Sequence, residues 1–188
     1  MTDVPRLLRM KLHDIMVRAL TTSAAVVRDV TPEQAGLSTP CHEWDVRALT
    51  HHLLLVVEAL EMAGHGEPIA DEHWVSPSAR SFDVGAADAW QGPEPWQRPV
   101  RMGGTPMPAD MAVAMLVSDV AIHGWDLARA TGQEYRVDDG VAATTLRFVT
   151  TMGEQGRAMG IFAQPVTVPG DVSTFDRALA LSGRNPFH

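Results

Sequence analysis

Asp45-Val46-Arg47-Ala48-Leu49-Thr50-His51-His52-Leu53-Leu54-Leu55-Val56-Val57-Glu58-Ala59-Leu60-Glu61-Met62-Ala63-Gly64-His65-Gly66 reads as one complete helix. Asp45 can cap the first free backbone N–H groups, and the residues before it, Pro40-Cys41-His42-Glu43-Trp44, read as a loop. The helix is expected to run from Val46 to about Ala63 and to stop at Gly64-His65-Gly66, because glycine suits the left-handed position after a helix. Within it His52 follows Leu49 by three residues and precedes Val56 by four, so it shares their apolar face. His51 points about 100° away from that face.

Similar units lie on both sides. Leu12, Ile15, Met16, Ala19, Val26 and Val30 recur in three- and four-residue steps and form one face of an earlier helix. Thr31-Pro32-Glu33-Gln34 has the hydroxyl, proline and glutamine of a capping box, but Gly36 follows so soon that only a short turn is expected. Pro108 opens a long helix through Asp119 and His123 to Thr131, ahead of Gly132. Asp138 or Asp139 can cap a further helix from Val141 to about Met152, and Ser173 or Thr174 a short last one ending at Gly183. Between Pro68 and Met107 prolines are too dense for a long regular helix, although Ala79 to Trp90 could hold a short one. Pro165-Val166-Thr167-Val168-Pro169 reads as extended chain or loop. The expected fold class is all-α: a bundle of about four main helices, an irregular Pro-rich segment before the third, and a C-terminal tail with a short helix.

Composition narrows the function. A chain of 188 residues is expected to form a single domain over residues 1–188, with 45% apolar and 20% charged residues as in ordinary globular proteins. Its net charge is −8 and its pI near 5.4, with no basic cluster, so a nucleic-acid partner is not expected. The longest uninterrupted apolar stretch, Met111 to Val117, is far short of a membrane span, and the opening MTDVPRLLRMKLHD has no apolar signal region. Cytoplasmic residence is the expectation. One cysteine, Cys41, excludes an internal disulfide and a multi-cysteine zinc knuckle. No Gly-rich phosphate loop, nucleophile elbow or H-E-x-x-H pattern occurs.

The histidines carry the chemistry. Asp119 and His123 are four apart and meet on one helix face, beside a stripe containing Met115, Leu116 and Leu127. With His52 they supply two imidazoles and a carboxylate, a donor set that leaves positions open around a divalent metal. Spacing alone is weak evidence. With 23 acids and 8 histidines, about one acid-x-x-x-His pair arises by chance, and the chain has two, the other being Glu61/His65 at a helix end. An internal Asp119–His123 hydrogen bond without metal also satisfies the pattern. Asp126, three residues after His123, could accept the imidazole N–H that ligation leaves free, or pair with Arg129. His51 is a candidate for proton shuttling or the substrate side, or a surface group. Trp44 and Trp125 read as packing anchors. Cys41 reads as a buried thiol or as one activated by the helix start after it.

Thr39-Pro40-Cys41-His42-Glu43-Trp44-Asp45-Val46-Arg47-Ala48-Leu49 with His52-Leu53 resembles the entry to the second helix in actinobacterial proteins related to mycothiol-dependent maleylpyruvate isomerase, among the DinB-like metalloenzymes. His123-Gly124-Trp125-Asp126-Leu127-Ala128-Arg129-Ala130-Thr131-Gly132 resembles that family's second signature, and Asp176 to Leu179 with Gly183-Arg184-Asn185-Pro186 fits one branch of it. The resemblance implies a DinB-like four-helix bundle with one divalent metal, zinc or nickel, on His52, Asp119 and His123, and mycothiol as thiol cofactor. Asp119 stands where the family often has glutamate, one methylene longer, or histidine. The isomerase carries a further C-terminal domain, for which this chain is too short, so the implied chemistry is thiol-dependent isomerisation or S-transfer on a small electrophile rather than that substrate. The competing expectations are a non-catalytic binding or interaction bundle without the metal, and a metal-free thiol-handling protein using Cys41. A homodimer through an exposed apolar bundle face is a further expectation.

Overall fold

The computed structural model describes residues 5–42, 44–77 and 81–187. Glu43 of the loop motif and Ala79, the expected start of a short helix, lie outside the described residues. Helices α1 (Arg6–Arg28), α2 (Val46–His65), α3 (Ala109–Thr131) and α4 (Asp139–Ala158) are the four long rods, followed by the short α5 (Thr174–Leu181). Their ends follow local chemistry. The Asp45 carboxylate accepts from Ala48 N–H, Asp138 from Val141 N–H, and the Ser173 hydroxyl from Asp176 N–H. Gly66 (φ 81°) and Gly132 (φ 73°) close α2 and α3 in the left-handed region. The short turn at Pro32–Gln34 forms as expected, with the Gln34 side chain accepting from Thr31 N–H at 3.0 Å.

Helix α3 is the centre, packing against α1, α2 and α4, while α5 docks on α4. By length and composition α3 could cross a membrane, with a mean hydropathy of 1.3 over its most apolar window. The sequence reading, which looked only at uninterrupted runs, missed this. Most of that window is buried inside the protein, which makes α3 a core helix. Val113, Leu116, Val117, Val120 and Ala121 sit in the main core, while Leu127 and Ala128 join Val26, Val46, Leu49 and Leu53 in a smaller cluster.

Two expectations need correction. α4 runs six residues beyond Met152, through Gly153 and Gly156, and the Phe162 ring covers Gly156 where a side chain would otherwise sit. A two-stranded antiparallel hairpin appears where strands were not expected: β1 (Val100–Met102) pairs with β2 (Thr105–Met107) through the turn at Gly103-Gly104. The Pro-rich segment holds no long regular helix, as expected, and is ordered by its own side chains. Within its 3-10 turn at Val84–Trp90, the Trp90 indole donates to the Leu60 carbonyl at 2.8 Å, and the Trp96 indole donates to the Trp90 carbonyl at 2.9 Å. A Cβ on Gly64 of α2 would fall 2.6 Å from the Ala89 Cβ, so glycine permits this close approach.

Candidate metal centre

The packing of α2 on α3 brings His52 opposite Asp119 and His123. His52 Nε2 lies 3.0 Å from Asp119 Oδ1, and His123 Nε2 lies 3.9 Å from the same oxygen. The ligand atoms of all three lie within 4.8 Å of one another. Donors about 2.1 Å from a tetrahedral zinc are about 3.4 Å apart, between the two measured distances. Asp119 is thus long enough to meet both imidazoles despite its missing methylene.

Behind this triad is a second tier. His123 Nδ1–H donates to Asp126 Oδ2 at 2.9 Å, since an ionised carboxylate only accepts, and this turns His123 Nε2 toward Asp119. Asp126 is 0% exposed and pairs with Arg184, not with Arg129. Arg184 Nη2 donates to Oδ2 at 2.9 Å and Nε to Oδ1 at 3.3 Å. Arg129 instead lies over the Trp125 ring, 5.8 Å from its centroid.

The charges respond to these contacts. Burial works against ionisation of Asp119, but the facing His52 and His123 outweigh it and hold its carboxyl below the usual range. Burial likewise opposes a charge on His52, and Asp119 reverses the balance, raising its pKa. Asp126 is held low against its burial by the His123 hydrogen bond and the Arg184 charge. Arg184 is itself raised, since Asp126 more than offsets its burial. The two imidazoles, the ionised carboxylate and the buried orienting acid suit a divalent cation, which would take the place of the proton that His52 Nε2 donates to Asp119.

Several residues at the centre carried other readings. Trp44 packs on the smaller core cluster, as expected of an anchor, and also faces the centre: its ring lies 4.4 Å from the His52 ring at 34° and 5.4 Å from that of His123. The Trp74 ring centroid lies 6.1 Å from that of His52. Thr39 shapes the loop that delivers Cys41 and Trp44, accepting from Cys41 N–H at 3.2 Å and donating to the Trp44 carbonyl at 2.8 Å. The ligand atoms of Cys41, His123 and Asp126 form a second group within 4.8 Å. His51, half-buried on α2, belongs to neither group. His65 is exposed at the end of α2, and the Glu61/His65 pair forms no such group among the described residues. Arg184 stood in the sequence only as part of the tail resemblance, with no role attached, and Trp74 carried no signal.

A crystal structure of the mycothiol-dependent maleylpyruvate isomerase superposes with a TM-score of 0.56 and 20% identity, over 83% of this chain and 75% of that one. The fold is that of this isomerase. A histidine-to-alanine mutant of the isomerase superposes with a TM-score of 0.52 at 18% identity over the same shares. In sequence, the uncharacterized proteins Rv0738 and MT0763 of Mycobacterium tuberculosis (strains H37Rv and CDC 1551) are each 28% identical over 174 residues, covering 89% of this chain and 94% of theirs. No protein-family model matches the chain.

Proposed function

We propose that the protein is a metal-dependent, thiol-using enzyme of isomerase or S-transferase type, acting on a small electrophilic molecule. The observation that carries this reading is the convergence of His52, Asp119 and His123 with the His123 N–H already committed to Asp126. The fold shared with an enzyme described as mycothiol-dependent supports a thiol as the second reactant.

His52, Asp119 and His123 would hold the ion, zinc in the first instance. A divalent ion bound there would supply Lewis-acid stabilisation of a thiolate at neutral pH. Asp126 fixes the His123 ring so that only Nε2 faces inward. The rings of Trp44 and Trp74 lie near the His52 ring and offer flat apolar surface to the carbon frame of a substrate. No step is assigned to His51.

The test is metal content in protein purified without nickel resin. About one equivalent of zinc or nickel is expected, against less than about 0.2 in His52→Ala and His123→Ala, because loss of one of three protein ligands collapses such a site. Consumption of mycothiol with an electrophile should then follow the metal content. The 3.0 Å His52–Asp119 hydrogen bond is also complete without an ion and favours one second reading, a metal-free binding bundle. Under that reading the wild type holds no metal and chelator leaves its melting temperature unchanged.

A further inference from the structure

We propose that Arg184, in the tail after α5, is a positioning residue for the metal centre that acts through Asp126 to hold His123 in its ligating orientation. This rests on the assignment of His52, Asp119 and His123 as ligands.

The geometry is built for orientation. An imidazole bonded to a neutral partner can turn over or exchange tautomers, and either change removes the inward lone pair. At His123 the choice is made by Asp126 Oδ2, which accepts Nδ1–H at 2.9 Å. That oxygen also accepts Arg184 Nη2 at 2.9 Å, while Nε reaches Oδ1 at 3.3 Å. The two-point grip fixes the plane of the carboxylate, which a single point charge cannot do. Arg184 Nη1 donates to the Ser182 carbonyl at 3.2 Å, so the guanidinium is itself held.

The backbone that carries Arg184 is equally determined. Gly183 has φ +91°, and a Cβ there would fall 2.5 Å from the Ala163 Cβ. This left-handed turn lets Arg184 N–H return to the Leu179 carbonyl at 2.9 Å and aims the side chain at α3. The guanidinium is 7% exposed and the carboxylate 0%, so water does not substitute for either partner. Cys41 is the remaining ligand-type side chain grouped with Asp126 and His123, and a thiol cannot reproduce the fork.

Arg184→Lys separates orientation from charge, because it keeps the cation and loses the fork. The full chain is studied free of metal by nitrogen-15 spectra of its imidazoles, with His123 assigned through His123→Gln, and then by zinc competition against a chromophoric chelator. The wild type should show His123 as a single Nδ1–H tautomer. In Arg184→Lys that signal should give way to exchanging tautomers, and zinc affinity should fall about 10- to 100-fold, as for other partners of metal-bound histidines. Arg184→Lys in an Asp126→Asn background should lower affinity no further than Asp126→Asn alone. A lower melting temperature for Arg184→Lys with an unchanged tautomer and zinc affinity within twofold would overturn the proposal and leave Arg184 as a fastener for the tail. A wild type that binds no zinc, but whose His123 tautomer is single and depends on Arg184, overturns the metal reading and keeps the positioning role. Arg184→Met is a further variant; if it does not fold, Arg184→Lys decides.

Discussion

Gly124 of α3 faces Tyr135 so closely that a Cβ on it would fall 2.6 Å from the Tyr135 hydroxyl and 2.5 Å from Ser23 Oγ. The Tyr135 and Ser23 hydroxyls are 2.8 Å apart, and Ser23 Oγ donates to the Val120 carbonyl at 3.1 Å. Gly124→Ala therefore has to break this pair or push α1 from α3. The expected loss is about 3 kcal/mol, combining overpacking with a broken buried hydrogen bond. Denaturant unfolding measures it, and a change below about 0.5 kcal/mol, the ordinary surface value, would contradict the packing described.

Tyr135 is the one tyrosine of the chain, so its ionisation can be read without interference. Burial is the main force on its phenol and raises the pKa above the ordinary value; the Ser23 hydrogen bond opposes this and Asp126 adds to it. A raised folded pKa contributes stability that is whole below the unfolded value of about 10 and is lost as pH rises beyond it. Ultraviolet difference spectra should show no phenolate until the helical circular dichroism also collapses. A phenolate signal near pH 10 with the helices intact would place Tyr135 in water.

Asp119→Asn keeps the shape of the side chain and removes its charge. If about 10–16 kcal/mol of zinc binding is shared among four donors, each supplies about 3 kcal/mol, and affinity should drop about 100-fold. At free zinc 1,000 times the wild-type Kd, the wild type should gain about 4.1 kcal/mol on loading and the variant about 1.4 kcal/mol. Thermal scans with and without zinc supply the comparison, and equal gains would remove Asp119 from the ligand set.

Trp44→Ala uncovers one side of His52. The neighbouring ring contributes about 1 kcal/mol beyond its buried area, so folding should weaken by about 1–3 kcal/mol, and substrate capture should weaken as well. The expected signature is a KM raised about tenfold, about 1.4 kcal/mol of binding, with kcat changed less. A large fall in kcat with unchanged KM would give Trp44 a different role.

Much of the fold was legible because its signals are local. Asp45, Asp138 and Ser173 cap the helices beside them, and Gly66 and Gly132 stop the ones they follow. Asp119 and His123 share a helix face by spacing, and His52 was placed by its neighbours Leu49 and Val56. What was missed depends on distant partners. Arg184 meets Asp126 across 58 residues, and no spacing rule connects them. Trp44 nears His52 from a stretch where the Thr39 hydroxyl bonds Cys41 N–H and the Trp44 carbonyl, and Trp44 N–H bonds the Cys41 carbonyl. The hairpin did announce itself in Gly103-Gly104, but the surrounding prolines dominated the reading. Gly153 and Gly156 look like helix stops until Phe162, from beyond the helix, covers one of them.

The Arg184–Asp126 link also sets an order of assembly. During synthesis α3 emerges well before the tail, and its Asp126 cannot be buried as an anion at low cost while its cation is missing. The nascent bundle must leave that corner wet or protonated until α5 arrives and turns at Gly183. A stretch made well after α3 therefore seals this corner, and ligation competence should appear later in folding than the first helix pairing.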